Sequence, residues 1–279
     1  MNVKPWSTVR QGVDNSVVTG IQYLLRARGH AVAADGQFGP ATAAAVRAFQ
    51  TGAGLTADAV VGPQTWEALV VTTHSGSTGD AVRAVQQFGL VSSPGLPPLV
   101  VDGSYGPLTA ERVSELQRQW GLTIDGQAGP ETWSFLSTFL PGPRPWGLVK
   151  QGARQADNWR VLAAQYLLRA HGSGIVADGV FGPASGAAVE AFQRTLRATE
   201  ISTTLGQLDW PRLIITVRRG DHGDAVRALQ TLLTDLAVDG DFGPLTETKV
   251  RDFQGVFLPP ADGIVGPITW QALTSPIFD

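Results

Sequence analysis

The residues best placed to do chemistry in this chain are the aspartates of a recurring Asp-Gly-x-x-Gly-Pro motif, which begins at Asp35, Asp102, Asp125, Asp178, Asp239 and Asp262. In such a turn the carboxylate can bond its own downstream amides, glycine permits positive φ, and Gly-Pro opens the next helix. The same turn can leave a carboxylate, backbone amides and a helix N-terminus facing a groove, a surface suited to sugar hydroxyls or a peptide carboxylate. Turn formation and ligand contact thus predict the same residues, and both readings stand.

Other chemistry is poorly supplied. His30, His74, His171 and His222 form no closely spaced ligand pair, so no metal site is expected. His30 and His171 are expected to end the first helices of two related units, a routine structural place for imidazole. Glu67, Glu111, Glu115, Glu131, Glu190 and Glu247 fall at helix-surface spacing, so solvated faces explain them better than a carboxylate pair across a sugar cleft. Neither a Gly-x-Ser-x-Gly elbow nor a phosphate-binding loop occurs, and the absence of cysteine excludes thiol catalysis and disulfides. The expectation is a protein that is not an enzyme and needs no cofactor.

The elements that must position the aspartates follow from the spacing. The intervals from Asp102 to Asp125 and from Asp239 to Asp262 are both 23 residues, and Asp58-Ala59-Val60-Val61-Gly62-Pro63 stands 23 after Asp35 as a variant copy. The unit therefore carries two loops, and four units are expected, at 1–71, 72–143, 144–216 and 217–279, the third having lost its second loop. Pro5-Trp6 and Gln22-Tyr23-Leu24-Leu25-Arg26-Ala27 reappear as Pro145-Trp146 and Gln165-Tyr166-Leu167-Leu168-Arg169-Ala170. Gly79-Asp80-Ala81-Val82-Arg83-Ala84 reappears as Gly223-Asp224-Ala225-Val226-Arg227-Ala228, so a pair of units is duplicated. The stretch Pro141-Gly142-Pro143-Arg144-Pro145 marks the join, and Ser92 to Pro98 lengthens the loop before Asp102.

Within a unit the signals read helix, loop, helix, loop, helix, an all-α architecture. In the fourth unit Asp224 is placed to cap a helix whose Val226, Leu229, Leu232, Leu233 and Leu236 form one apolar face. Pro244 then opens a helix with Val250, Phe253 and Phe257, and Pro267 opens a shorter one with Trp270 and Leu273. Trp66, Trp133, Trp210 and Trp270 share one position and are expected in the core. Trp6 and Trp146 are expected to pin each unit's start to its neighbour, and Trp120 and Trp159 to serve an interface or an exposed stacking platform.

In sequence, Asp35 to Thr42, Ala45-Val46, Phe49-Gln50 and Gly62-Pro63-Gln64-Thr65-Trp66 resemble the peptidoglycan-binding-domain-like family of small three-helix modules. Asp239 to Thr246, Phe253-Gln254 and Gly266-Pro267-Ile268-Thr269-Trp270 match as fully. The second unit has Leu116 before Gln117 where the family has an aromatic. The third has Ser185 for the usual Thr, and Gly206-Gln207-Leu208-Asp209-Trp210 in place of the second Gly-Pro-x-Thr-Trp. The resemblance covers nearly the whole chain and implies modules without their usual hydrolase.

That resemblance implies multivalent, non-catalytic binding of cell-wall peptidoglycan, through glycan or stem peptide, by a secreted or cell-wall-associated protein. A lectin for a different sugar and a protein-assembly scaffold are the alternatives. The groove beside each unit's first loop supplies the candidate ligand contacts: Asp35, Gln37 and Thr42; Asp102, Ser104, Tyr105 and Thr109; Asp178 and Ser185; Asp239, Asp241 and Thr246. A formal net charge of −3 offers no basic field for nucleic acid or an anionic membrane, and no apolar run reaches membrane-spanning length. Met1 to Gly20 lacks the pattern of a secretion signal, while zero cysteines suit an extracellular setting.

Overall fold

The computed structural model describes residues 4–88, 99–138 and 145–275, so the expected loop extension at Ser92 to Pro98 and most of the expected join at 141–145 lie outside the described residues. The elements are helices: α1 (Ser16–Ala27), α2 (Pro40–Gly52), α3 (Pro63–Leu69), α4 (Asp80–Gln87), α5 (Pro107–Trp120), α6 (Pro130–Leu136), α7 (Arg160–Ala170), α8 (Pro183–Thr195), α9 (Trp210–Leu213), α10 (Asp224–Leu232), α11 (Pro244–Phe257) and α12 (Pro267–Thr274). Proline begins α2, α3, α5, α6, α8, α11 and α12, where its missing N–H leaves no bond unmade. Among the described residues, extended chain pairs only in isolated antiparallel bridges. Two bridges fasten each set of three helices, for example Val9 to Val61 and Asp14 to Gln37 in the first.

The four tryptophans of the third helices are fully buried, and each indole N–H reaches the extended segment that leads into its own repeat. Trp66 donates to Ser7 O (2.9 Å), Trp133 to Val71 O (3.1 Å), Trp210 to Gly147 O (2.7 Å) and Trp270 to Ile215 O (2.9 Å). A buried indole needs such a partner, so the same bond made four times ties the segment leading into each repeat to that repeat's last helix.

The described chain divides into two compact units, one of residues 4–88, 99–117 and 123–138, the other of residues 118–122 and 145–275. In the first, α1 packs on α4, and Arg26 on α1 pairs with Asp80 at the start of α4 at 2.9 Å. Phe88, just past α4, sets its edge against Trp66 at 6.2 Å and Trp133 at 5.3 Å. Trp6 stacks on Trp66 at 6.0 Å within its own repeat, while the next residue, Ser7, donates its N–H to Ser137 Oγ of the second repeat at 3.2 Å.

In the second unit α7 packs on α10, and Arg169 pairs with Asp224 at 2.9 Å. Trp146 stacks on Trp210 at 5.9 Å, again within one repeat. Asp224 does not cap α10. Gly223, at φ 102°, takes the cap position, and the carboxylate is drawn instead to Arg169 and Arg227. The helix stops at Leu232, so Leu236 lies beyond it, and Phe257 at the end of α11 is 42% exposed. Trp120 is buried and cannot be a stacking platform, while half-buried Trp159 donates its N–H to Leu273 O and lies under the Arg160 guanidinium at 3.7 Å.

Candidate functional site

Each loop is fastened by a glutamine from the helix before it. In the first loop Gln22 Nε2 donates to Asp35 Oδ1 (2.7 Å), Thr42 Oγ1 (3.0 Å) and Gln37 O (3.1 Å), while Gln22 Oε1 accepts from Gly36 N (2.9 Å). Asp35 Oδ1 also accepts from Gln37 N at 2.9 Å, which closes the turn. The same latch joins Gln86 to Asp102 and Thr109, Gln165 to Asp178 and Ser185, and Gln230 to Asp239 and Thr246. Second loops repeat it with Gln50, Asp58 and Thr65, with Gln117, Asp125 and Thr132, and with Gln254, Asp262 and Thr269. The glutamine amide thus satisfies both a buried backbone donor and the carboxylate that shapes the turn.

The third repeat's second loop keeps the latch after losing the motif. Ile201 stands eight residues after Gln193, where the other second loops have aspartate, and Ser202 N donates to Gln193 Oε1 (2.7 Å) in place of glycine. Asp209, in the position that is threonine elsewhere, accepts from Gln193 Nε2 (3.2 Å) and from Gly206 N (2.8 Å). One residue has taken over the duties of two.

The structure brings the first-loop candidates together, with different exposures. Thr42, Thr109, Ser185 and Thr246 are buried with their hydroxyls in the latches, so these side chains shape the loop from within. Tyr105 is buried too, its hydroxyl donating to Gly126 O (2.8 Å), and burial pushes its phenol well above the ordinary tyrosine range. Asp35, Asp102, Asp178 and Asp239 remain exposed, as do Gln37, Ser104 and Asp241. The Gln37 amide and the Gln22 side chain hold the Asp35 carboxyl below its usual range. At Asp102 the Gln86 side chain and Ser104 amide do the same, and at Asp178 the Gln165 side chain and Val180 amide. The Asp241 amide and Gln230 side chain lower Asp239 likewise. Asp241 also faces His222 at 3.3 Å.

Two recesses lie away from the first loops. One, of about 530 Å³, opens beside the second loop of the second repeat and is lined by His74, Ser75, Ala110, Ser114, Asp125, Gly126 and Gln127. The other, of about 190 Å³, lies between the end of α7 and α8, with Leu168 and Phe192 among its apolar walls and His171, Ser173 and Thr195 adding polar atoms. His171 caps α7, bonds Leu213 O at 2.9 Å and meets Phe192 edge-on at 5.0 Å. His30 is not its equivalent: α1 ends at Ala27 with Arg28 as its cap, and Arg28 takes the corresponding bond to Leu69 O (3.0 Å). His30, two residues later, makes the matching ring contact with Phe49 at 5.9 Å. Among the described residues no group of three or more His, Cys, Asp or Glu could hold a metal ion.

A family model described as "Putative peptidoglycan binding domain" matches residues 14–69, 78–136 and 222–273. The chain is 36% identical over 98 residues to the zinc D-Ala-D-Ala carboxypeptidase of Streptomyces albus G, an alignment covering 35% of this chain and 37% of that enzyme. It is 29% identical over 164 residues to the N-acetylmuramoyl-L-alanine amidase CwlL of Bacillus licheniformis, covering 47% of this chain and 46% of the amidase. The chain thus spans less than half the length of these curated relatives. A crystal structure of a peptidoglycan-binding protein from Clostridioides difficile in complex with glutamine hydroxamate is 36% identical, covering 24% of this chain and 42% of that one, with a TM-score of 0.23.

Proposed function

Since the chain belongs to the peptidoglycan-binding-domain family, we propose that it is a multivalent binder of bacterial peptidoglycan, engaging glycan or stem peptide without catalysing a reaction. The carrying observation is the family match at three separate stretches of a chain whose loop latch recurs in every repeat. We read four modules, 1–71, 72–143, 144–216 and 217–279. A repeating polymer met by repeated modules gains apparent affinity of about a hundredfold or more when two sites engage at once.

On this reading, ligand contact at the first loops falls to the outward-facing Gln37, Ser104 and Asp241 and to the exposed carboxylates of Asp35, Asp102, Asp178 and Asp239. The buried Thr42, Thr109, Ser185, Thr246 and Tyr105 hold those groups in place. On the same reading the protein works at the cell wall, in a secreted or wall-associated state. The formal charge of −3 gives nucleic acid no attraction, and among the described residues no helix is long and apolar enough to cross a membrane.

The test is to replace Gln37, Ser104 and Asp241 together by alanine and measure retention on purified sacculi. At least a tenfold loss of binding with unchanged thermal stability supports the first loops as the contact surface, and unchanged retention rejects these three side chains as contacts. Release of soluble fragments by the unaltered protein would reject the non-catalytic assignment.

A further inference from the structure

We propose that the groove beside the second loop of the second repeat takes a primary ammonium group, that of a diamino-acid side chain in the stem peptide; the proposal rests on the peptidoglycan reading above. The groove of about 530 Å³ lies within the size range of small-ligand pockets. Its polar lining is built in order. Thr73 bridges Ala128, and both are buried at 2% and 0% exposure. Side chains alternate along extended chain, so the next pair, His74 and Gln127, turns outward.

The charged and ring groups assembled there offer acceptors, beside the Ser75 and Ser114 hydroxyls and the Gln127 side-chain amide, which can both donate and accept. Asp125 is the one carboxylate in the lining, and among the described residues neither lysine nor arginine lines the groove. Asp125 Oδ1 is fixed by Gln117 Nε2 (2.8 Å) and Gln127 N (2.9 Å), so the charge is held in position. His74 Nδ1 lies 3.0 Å from Ser75 O; with the proton there, Nε2 is an acceptor. A carboxylate and an imidazole nitrogen around a polar recess suit a cationic donor and disfavour a second carboxylate.

The fourth and third repeats fill or crowd the same place, and the first carries a longer side chain there. Glu247 and Arg251 occupy the positions of Ala110 and Ser114 in the fourth repeat, with Arg219 at that of Ser75. Arg219 reaches Glu247 at 3.2 Å, and Arg251 reaches Glu247 at 3.0 Å and Ala261 O at 2.6 Å, an ion-paired bridge across the site. In the third repeat Gly186 replaces Ala110, and Thr203 and Gln151 crowd it so closely that an added Cβ would lie 3.0 Å and 3.1 Å from them. The first repeat places Arg47 where the second has Ser114. Small side chains at both wall positions belong to the second repeat.

The experiment is a backbone-amide NMR titration of the full chain with the tripeptide Lys-D-Ala-D-Ala, its N-terminus blocked and its side-chain amine either free or acetylated. The expected result is a saturable shift at His74, Gly126 and Gln127 with the free amine only, weakened at least tenfold by Ser114→Arg and by Gln127→Lys. Ser114→Arg copies the fourth repeat, and Gln127→Lys alters an exposed side chain, so one variant covers the other should either misfold. Equal response to the acetylated peptide, no response, or an equal response in the fourth repeat overturns the proposal. Peptide binding here without retention on sacculi would leave this site standing and reject the wall-binding reading; retention on sacculi without these shifts would do the reverse.

Discussion

Phe88 stands where a side chain at Gly20 would have to go: a Cβ built on Gly20 falls 1.7 Å from Phe88 Cε2. The second compact unit carries Ala163 and Leu232 at the corresponding positions, exchanging a glycine and a large ring for a methyl and a smaller side chain. Gly20→Ala is therefore expected to destabilise by about 1–3 kcal/mol despite alanine's better helix propensity. Phe88→Leu in the same chain should recover most of that loss. Urea unfolding of the two single variants and the double variant checks this, and strictly additive effects would contradict it.

The glutamine latches should be the costliest polar groups to remove. Gln230→Leu leaves the buried Gly240 N–H without its acceptor and strips Asp239 and Thr246 of a donor. A loss of about 3 kcal/mol in unfolding free energy is expected. The exposed Gln37→Leu should stay within about 0.5 kcal/mol of the parent protein. Comparable effects from the two would show that the latch contributes nothing special.

Ala59 holds φ at 62°, in the left-handed region that glycine occupies in the matching loops at Gly36 and Gly126. Ala59→Gly removes a backbone strain of about 1–2 kcal/mol but loosens the unfolded chain, so a net gain of roughly 0.5 kcal/mol is expected. Differential scanning calorimetry should show a small rise in melting temperature, and a fall would contradict the assignment of strain.

Acid should weaken the fold through the loop aspartates. Asp35, Asp58, Asp102, Asp178, Asp239 and Asp262 all have carboxyls held below their usual range, with loop amides and the latch glutamines as the main causes. A depressed folded-state value means that the unfolded chain binds protons first. The stability they contribute is fully present above the ordinary aspartate value of about 4 and is lost as pH falls through the lowered folded values. Melting temperature followed from pH 6 to pH 2 should drop steeply below pH 4, and Asp35→Asn should make that drop shallower. An unchanged slope would contradict the role given to this carboxylate.

Sequence periodicity exposed the turns, the proline-opened helices and the four core tryptophans because each depends on neighbours a few residues away. The latch was harder to read. Gln50 and Gln193 were visible as the end of a Phe-Gln pair, but their bonds to Asp58 and Asp209 cross 8 and 16 residues. The same blindness hid the third repeat's rebuilt loop: its motif was gone while Asp209 preserved the bonding. Thr42 and Thr246 are ligand-contact candidates in the sequence because a hydroxyl beside a loop suits either role; the structure adds that both are buried with their hydroxyls in the latches. His30 and His171 looked equivalent from their places near helix ends, whereas the structure gives the position of His171 to Arg28.

On the proposed function this chain binds peptidoglycan and leaves it intact. Sedimentation of the full protein with purified sacculi, with the supernatant assayed for released sugar and peptide, tests both halves at once. The protein is expected to pellet with the sacculi, added muropeptides to return it to solution, and no fragments to appear. Protein left in the supernatant would contradict the binding, and soluble fragments would contradict its non-catalytic nature.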